Sequence, residues 1–224
     1  MIIAIIPARK NSKRIKNKNI KKFNDKPMIY WTISKLKKFK IINKILVTSD
    51  SDLILKKAKK YKADECLKRP NYLATGKATT KDVVVHGIEY LKKKNIFPSL
   101  ILCVYPCTPF LSLEDISKAI KLVKLNKKRF VSAVTSYNHP IQRSFNMKKN
   151  NKIINQKKKN IKTNTQKFNL NFYDCGQFYL STPEIWCKQN HLENYYGVKI
   201  PSWRAIDIDN NDDWKRAELL SKII

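Results

Sequence analysis

The stretch Ile2–Pro7 reads IIAIIP, and the loop that follows it at residues 8–19 reads ARKNSKRIKNKN. A short continuous apolar run bounded by polar residues predicts a strand that is buried on both faces, as in a parallel sheet. Ligands of parallel α/β sheets bind beyond the carboxyl ends of the strands. This junction of strand and basic loop therefore predicts both the fold class and the place of a binding site.

Strand-like and helix-like segments alternate along the chain after this loop. Predicted strands cover 44–49, a short stretch near 66, 100–105, 130–135 and 177–180, and predicted helices cover 27–40, 52–61, 80–94, a stretch that begins at 112, and 213–223. Alternation at this spacing is typical of a doubly wound, mostly parallel α/β sheet of the Rossmann-like kind. A chain of 224 residues fits one such domain, over residues 1–224.

The alternation breaks between about residues 137 and 172, where lysine and asparagine are abundant and periodicity is weak. A structureless loop of that length inside a compact domain is unusual. We interpret this segment, called the arm below, as either partly disordered or an insertion that becomes ordered on a partner subunit.

The 47 lysines and arginines exceed the 17 aspartates and glutamates by 30 charges. A basic balance favours anionic partners: nucleic acid, a membrane surface or acidic small molecules. Lysine is spread through every predicted helix and loop instead of being concentrated on one element, which is typical of an A/T-rich codon bias. We therefore expect no nucleic-acid partner, although a basic nucleic-acid-binding domain stays an alternative.

Five cysteines contain no C-x-x-C pair, and three histidines are scattered, so no zinc spacing is present. No apolar run approaches the roughly 20 residues that span a bilayer, and Ile2–Pro7 is too short for a signal peptide. We expect a cytoplasmic protein with reduced thiols and no membrane association.

Three segments carry candidate chemistry. The loop after the first strand combines Arg, Lys, Ser and Asn, groups that hold a triphosphate, although a solvated basic loop has the same composition. The second segment, KRPNYLA followed by KATT, spans 68–80 and combines an Arg-Pro pair with a helix cap at Thr79 or Thr80; an ordinary loop and cap also fit. In the third segment, AIDIDNNDDW, Asp207 and Asp209 share one face of an extended chain. Such a pair is suited to bind Mg²⁺, although acidic residues that only precede and cap a helix have the same pattern.

The order and spacing of these segments resemble the CMP-sialic acid synthetase family. The family pattern runs I-P-A-R-x-x-S-K and then K-N, with a cytosine-recognition segment and an I-D-I-D metal-binding segment further on. The resemblance covers the chain from Ile3 to Leu220. Many members have two glycines where Lys10 and Asn11 stand, so an inactive CTP-binding relative is a further alternative.

The resemblance implies a cytidylyltransferase that uses CTP and Mg²⁺, works as a homodimer through the arm, and joins CMP to an acidic nine-carbon sugar. The implied CTP-binding residues are Arg9, Ser12, Lys13, Lys18, Asn19, Arg69, Ala78 and Thr79. The implied metal ligands are Asp207 and Asp209, and we expect Arg9, Lys18 and Asp209 to act in catalysis.

Later segments suggest which branch of the family this chain resembles. The runs PIQR at 140–143, YDCGQFY at 173–179 and the W-R-x-x-D-I-D pattern from Trp203 look like the pseudaminic acid branch. N-acetylneuraminic or legionaminic acid stays open as the sugar. The candidate sugar contacts are Tyr105, Gln142, Arg143, Asp174 and Gln177, of which Arg143 suits a carboxylate.

Overall fold

The computed structural model describes residues 1–10, 12, 14–155 and 163–223. The strands are β1 (Ile2–Pro7), β2 (Lys22–Phe23), β3 (Lys26–Pro27), β4 (Lys44–Ser49), β5 (Glu65–Lys68), β6 (Leu100–Val104), β7 (Phe130–Ser136), β8 (Phe145–Met147), β9 (Ile153–Asn155), β10 (Phe172–Ser181) and β11 (Tyr195–Lys199). The helices are α1 (Met28–Lys38), α2 (Asp52–Lys60), α3 (Asn71–Ala74), α4 (Thr80–Lys93), α5 (Leu113–Leu125), α6 (Pro183–Cys187) and α7 (Asn211–Leu220).

Seven strands form one sheet in the order β11-β7-β10-β6-β1-β4-β5. Strand β10 runs antiparallel to both of its neighbours, and the other neighbouring strands are parallel. The prediction of a mostly parallel sheet is therefore confirmed. Strands drawn from residues 2 to 199 share this sheet, and the assignment of residues 1–224 to one domain stays a prediction.

Both faces of β1 are buried, which explains its unbroken apolar sequence. Ala4 and Ile6 pack with α1, α2 and α5 on one face, whereas Ile3 and Ile5 pack with α4 and α6 on the other. Full burial of one such aliphatic side chain stabilises the fold by about 1.5–3 kcal/mol. The doubly wound arrangement thus follows from the alternation of these side chains.

The predicted elements match the observed ones, with ends that differ by a few residues. The elements that the sequence did not predict are short or exposed: β11, the hairpins β2–β3 and β8–β9, and the helices α3 and α6. Strand β10 begins at residue 172, five residues before its predicted start, because its first three residues are exposed and lack an apolar pattern.

The described part of the arm contains a 3-10 helix at Ile141–Arg143, the β8–β9 hairpin and a 3-10 helix at Thr165–Lys167. Residues 156–162 of the arm lie outside the described residues, so both interpretations of the arm, partial disorder and an insertion ordered by a partner subunit, stay predictions. In the described parts of the chain, no helix is both long and apolar enough to cross a membrane.

Candidate active site

A cleft of about 430 Å³ lies where the loops after β1, β5 and β6 meet the segment before α7. It therefore occupies the sheet edge that the strand–loop pattern predicted. The cleft is lined by Pro7, Arg9, Ser12, Arg14, Ile15, Lys18, Asn19, Arg69, Ala78, Thr79, Thr80, Val83, Tyr105, Pro106, Cys107, Gly176, Asp207 and Asp209.

Hydrogen bonds within the loop and to residues outside it shape the segment after β1. The buried Asn19 donates from Nδ2 to the Arg9 carbonyl at 2.8 Å, and the Cys107 thiol donates to Asn19 Oδ1 at 3.3 Å. The backbone N–H of Lys10 donates to Asp50 at 2.7 Å. Arg9 is thus held at the cleft by its backbone, with an exposed side chain. Lys13 and Asn11 lie outside the described residues.

Two cations of this loop reach the acidic segment. Lys18 Nζ lies 3.2 Å from Asp209 Oδ1 and also donates to the Ile208 carbonyl. Arg14 Nη2 lies 2.6 Å from Asp209 Oδ2. Arg14 was not among the predicted site residues, although it belongs to the same basic loop. The loop therefore supplies positive charge to the cleft and contacts one carboxylate directly.

The second predicted segment also lines the cleft. Arg69 is buried and donates from Nη2 to the Thr48 carbonyl at 3.1 Å. Burial lowers the pKa of Arg69 and the charge of Arg9 lowers it further, while Asp50 raises it. Thr79 is the cap of α4: its hydroxyl accepts from the Asp82 N–H, and the Asp82 carboxylate accepts from the Thr79 N–H at 2.8 Å. Ala78 also lines the cleft.

Successive side chains of the acidic segment point alternately into the core and into the cleft. Ile206 and Ile208 are buried in the core, so the carboxylates of Asp207 and Asp209 face the cleft together, as their spacing predicted. Asp207 is exposed, but the surrounding protein partly desolvates its carboxylate. This desolvation, together with the negative charge of Asp209, raises the pKa of Asp207 to about 6. Within the described residues, no hydrogen-bond donor contacts Asp207, whereas Asp209 has two cationic partners.

Two neighbouring carboxylates, of which Asp207 has no cationic partner among the described residues, fit a divalent cation such as Mg²⁺. Partial desolvation raises the pKa of Asp207 most and the charge of Asp209 adds to it; a bound cation would oppose both effects. The residues present therefore fit the metal, and its binding stays a prediction.

Gly176 lies against Asp207 and leaves room for its carboxylate. A Cβ at this position would come within 3.0 Å of Asp207 Oδ2, and the backbone φ of +60° is one that side-chain-bearing residues rarely adopt. Gly176 sits where the register of β10 shifts between Asp174 and Tyr179. Gly176 was not among the predicted site residues, although a glycine inside a strand pattern is a known signal for such an irregularity.

The side chains of Thr80, Tyr105 and Tyr179 form a chain of contacts that begins at the cleft. Tyr105 OH lies 2.7 Å from Thr80 Oγ1, and the Tyr105 and Tyr179 rings pack edge to face with centroids 5.8 Å apart. Tyr179 OH donates to Asp174 Oδ2 at 2.6 Å. Burial raises the pKa of both tyrosines, so the phenols keep their protons at neutral pH. Tyr105 thus presents a neutral hydroxyl to the cleft.

Four of the five predicted sugar contacts do not line the cleft of the described chain; only Tyr105 does. Arg143 donates to the Thr163 carbonyl at 3.1 Å, within the arm that also holds Gln142. Asp174 accepts from Tyr179 and from the Gly176 N–H, and Gln177 donates to the Arg204 carbonyl at 2.7 Å. A direct sugar contact by these four residues stays a prediction.

Two solved structures have a similar fold. CMP:2-keto-3-deoxy-manno-octonic acid synthetase complexed with CTP superposes with a TM-score of 0.71 at 11% identity, over 100% of this chain and 99% of that one. The 4-diphosphocytidyl-2C-methyl-D-erythritol synthase of Anaerococcus prevotii superposes with a TM-score of 0.63 at 15% identity, over 99% and 96%. At these identities the likeness shows the fold, and it confirms the Rossmann-like prediction.

Sequence relatives are closer. The pseudaminic acid cytidylyltransferase of Campylobacter jejuni is 30% identical over 99% of this chain and 96% of its own length. The N-acylneuraminate cytidylyltransferase of Escherichia coli is 37% identical over 63% of this chain and 33% of its own length. The family model described as cytidylyltransferase matches residues 3–216. The family resemblance is confirmed: this chain belongs to the cytidylyltransferase family.

Proposed function

We propose that this enzyme transfers CMP from CTP to the anomeric hydroxyl of a nonulosonic acid, pseudaminic acid in particular, and releases pyrophosphate. One observation carries the proposal: a single cleft is lined both by the cations Arg9, Lys18 and Arg69 and by the carboxylates of Asp207 and Asp209. Cations fit a triphosphate, and paired carboxylates fit the metal ion that accompanies it. The full-length relative from Campylobacter jejuni supports the choice of sugar.

The nucleotide is held between the two polar walls. The base lies near Asn19, Arg69 and Thr79, and the phosphates lie along Arg9, Ser12, Lys13 and Lys18. Arg14 now pairs with Asp209, but 65% of its side chain is exposed, and an exposed ion pair contributes little stability. We expect Arg14 to exchange this carboxylate for phosphate oxygens when CTP binds.

The reaction is an in-line displacement at the α-phosphorus. The anomeric oxygen of the sugar forms a bond to this phosphorus, the bond to the bridging β-oxygen breaks, and the hydroxyl proton passes to water. Arg9 and Lys18 stabilise the negative charge that develops on the departing pyrophosphate. Asp207 and Asp209 would hold Mg²⁺, which supplies charge neutralisation to the phosphates when bound.

The test is pyrophosphate release with CTP and Mg²⁺, measured side by side with pseudaminic, legionaminic and N-acetylneuraminic acids. Release that is fastest with pseudaminic acid supports the whole proposal. Preference for another of these sugars keeps the reaction and rejects the substrate. No release with any sugar rejects the proposal; CTP binding would then favour an inactive relative, and salt-sensitive oligonucleotide binding would favour a nucleic-acid partner.

A homodimer formed through the arm belongs to the same proposal. Phe145, Met147 and Ile153 of the β8–β9 hairpin expose 54%, 71% and 60% of their surface, an unusual share for adjacent apolar side chains. A second copy of the chain would cover them, and would give Gln142 and Arg143 a route to a sugar in the partner's cleft. We also propose a cytoplasmic location, since CTP is a cytoplasmic metabolite.

A further inference from the structure

Two neighbouring carboxylates that face one cleft repel each other, so the backbone that carries them must be held in place. Asp207 and Asp209 lie on an extended segment between a 3-10 helix at Ser202–Arg204 and helix α7. The side chains of Ile206 and Ile208 attach this segment to the core. Apolar packing keeps Ile206 and Ile208 in the core. Because apolar contacts are not directional, they restrain the segment less against a shift parallel to its own backbone.

An ion pair fixes the start of the segment. Arg204 Nη1 donates to Asp115 Oδ2, and these side chains are 12% and 2% exposed. Asp115 lies in the first turn of α5 and does not line the cleft. A buried ion pair between an arginine and a carboxylate is directional and costly to break. It therefore fixes the place of Arg204 relative to α5.

A second, independent bond fixes the backbone at the same residue. Gln177, which is 1% exposed in β10, donates from Nε2 to the Arg204 carbonyl at 2.7 Å. The carbonyl of Gln177 accepts from the Tyr105 N–H at 3.2 Å. Gln177 follows Gly176, whose missing side chain makes room for Asp207. One residue of β10 therefore connects the turn at Tyr105 with the segment that carries the acidic pair.

We propose that Asp115, Arg204 and Gln177 form an anchor that sets the position of Asp207 and Asp209 for the divalent cation. These three are positioning residues, since none of them lines the cleft. The inference rests on the proposed function, because it takes the acidic pair as the metal site. It also gives Gln177 a different role from the sugar contact that the sequence suggested.

The Gln177→Met variant separates positioning from folding. Met has nearly the same length and lacks the N–H donor. Among the described side chains, Gln177 Oε1 is a buried acceptor with no hydrogen-bond partner, so its removal offsets part of the lost bond. We expect this variant to fold and to bind Mn²⁺ about 10-fold more weakly, in the range known for residues that orient metal ligands.

The matched control is Ser181→Ala. Ser181 is also buried in β10 and also donates to a backbone carbonyl, that of Arg129 at 2.7 Å, but it lies at the end of the strand away from Gly176. Loss of this bond should leave Mn²⁺ affinity unchanged. Arg204→Lys keeps the charge facing Asp115 and should weaken Mn²⁺ binding less than Arg204→Ala does.

The measurement is the electron paramagnetic resonance signal of free Mn²⁺, titrated against each full-length variant with CTP present and a CTP-only blank subtracted. Steady-state turnover is measured in parallel over a range of Mg²⁺. The anchor predicts that high Mg²⁺ restores kcat in Gln177→Met but not in Asp207→Ala. Near-ultraviolet circular dichroism establishes that each variant is folded.

The outcomes separate the two hypotheses. If Asp207→Ala binds Mn²⁺ as tightly as the wild type, the proposed metal site is wrong. If Asp207→Ala binds weakly but Gln177→Met and Arg204→Ala bind as the wild type does, the metal site stands and the anchor is rejected. If Gln177→Met does not fold, Arg204→Lys against Arg204→Ala decides: equal Mn²⁺ affinity in both rejects the anchor.

Discussion

The cleft and the arm use their side chains in opposite ways. In the cleft, apolar side chains such as Ile206 and Ile208 are buried while charged ones face the ligand space. In the arm, Phe145, Met147 and Ile153 face outward. The fold of one chain thus gathers the charged side chains of the proposed nucleotide site, whereas the exposed apolar side chains of the arm fit the proposed contact with a second chain.

The largest effect is expected at the acidic pair. Asp209→Ala should lower kcat/KM by about 100- to 1,000-fold, since charge stabilisation of this kind is usually the largest contribution to catalysis. Pyrophosphate release over a Mg²⁺ titration measures it. Asp212→Ala, which removes an exposed acid of the same segment outside the cleft lining, is the control. Near wild-type turnover of Asp209→Ala at low Mg²⁺ would contradict the metal assignment.

The next effect is at Gly176. A Cβ added at Gly176 would lie 3.0 Å from Asp207 Oδ2, and an alanine there would have to adopt the positive φ of this position. Gly176→Ala should therefore cost about 1–3 kcal/mol of folding free energy and lower activity by about 10-fold or more. Urea denaturation and turnover measure these two quantities. Gly76→Ala is the control, because open space surrounds that position.

Charge on the exposed arm should act on assembly. Met147→Glu should weaken dimerisation about 10- to 100-fold, as expected for burial of an unpaired charge, and should reduce turnover at low enzyme concentration. Sedimentation velocity measures the association. The control is Phe97→Glu, which alters an apolar side chain that is 68% exposed elsewhere. A fully active wild-type monomer would reject the homodimer.

A smaller effect is expected at Tyr105. Tyr105→Phe removes the hydroxyl that lies 2.7 Å from Thr80 and should lower kcat/KM about 5- to 10-fold, the equivalent of one neutral hydrogen bond of about 1 kcal/mol. Separate KM values for CTP and the sugar show which substrate depends on this hydroxyl. Equal kinetics in the variant would remove Tyr105 from the site.

The smallest effect concerns pH and stability without metal. The folded-state pKa of Asp207, about 6, is raised above the ordinary value. Its contribution to stability is therefore fully present below pH about 4 and is lost as pH rises through about 6. Thermal unfolding with a chelator should show the wild type losing stability relative to Asp207→Asn across that range. A constant difference between them would contradict the shift.

Much of the fold followed from short-range pattern. The two-sided burial of Ile2–Pro7 and the alternation of Ile206–Asp209 depend on neighbouring residues, and both were predicted. The pairing of Asp115 with Arg204 joins residues 89 positions apart, and no local pattern signals it. In the sequence, Asp115 is simply an acidic residue in the first turn of a helix, a position that also suits the helix dipole. Its burial, like that of Gln177, depends on packing that only the folded chain shows.

Strand β10 is the antiparallel member of its sheet, and this determines where the arm is attached. Ser136 at the end of β7 and Phe172 at the start of β10 are cross-strand partners, so the whole arm joins two adjacent, hydrogen-bonded positions. A short hairpin turn suffices to connect such positions. We therefore expect residues 137–171 to be replaceable by a turn or by the equivalent segment of a relative with every pairing of the seven-stranded sheet retained, at the loss of the β8–β9 hairpin alone. If the proposed homodimer forms through the arm, chimeras built at this junction should change subunit association and leave nucleotide binding unaltered.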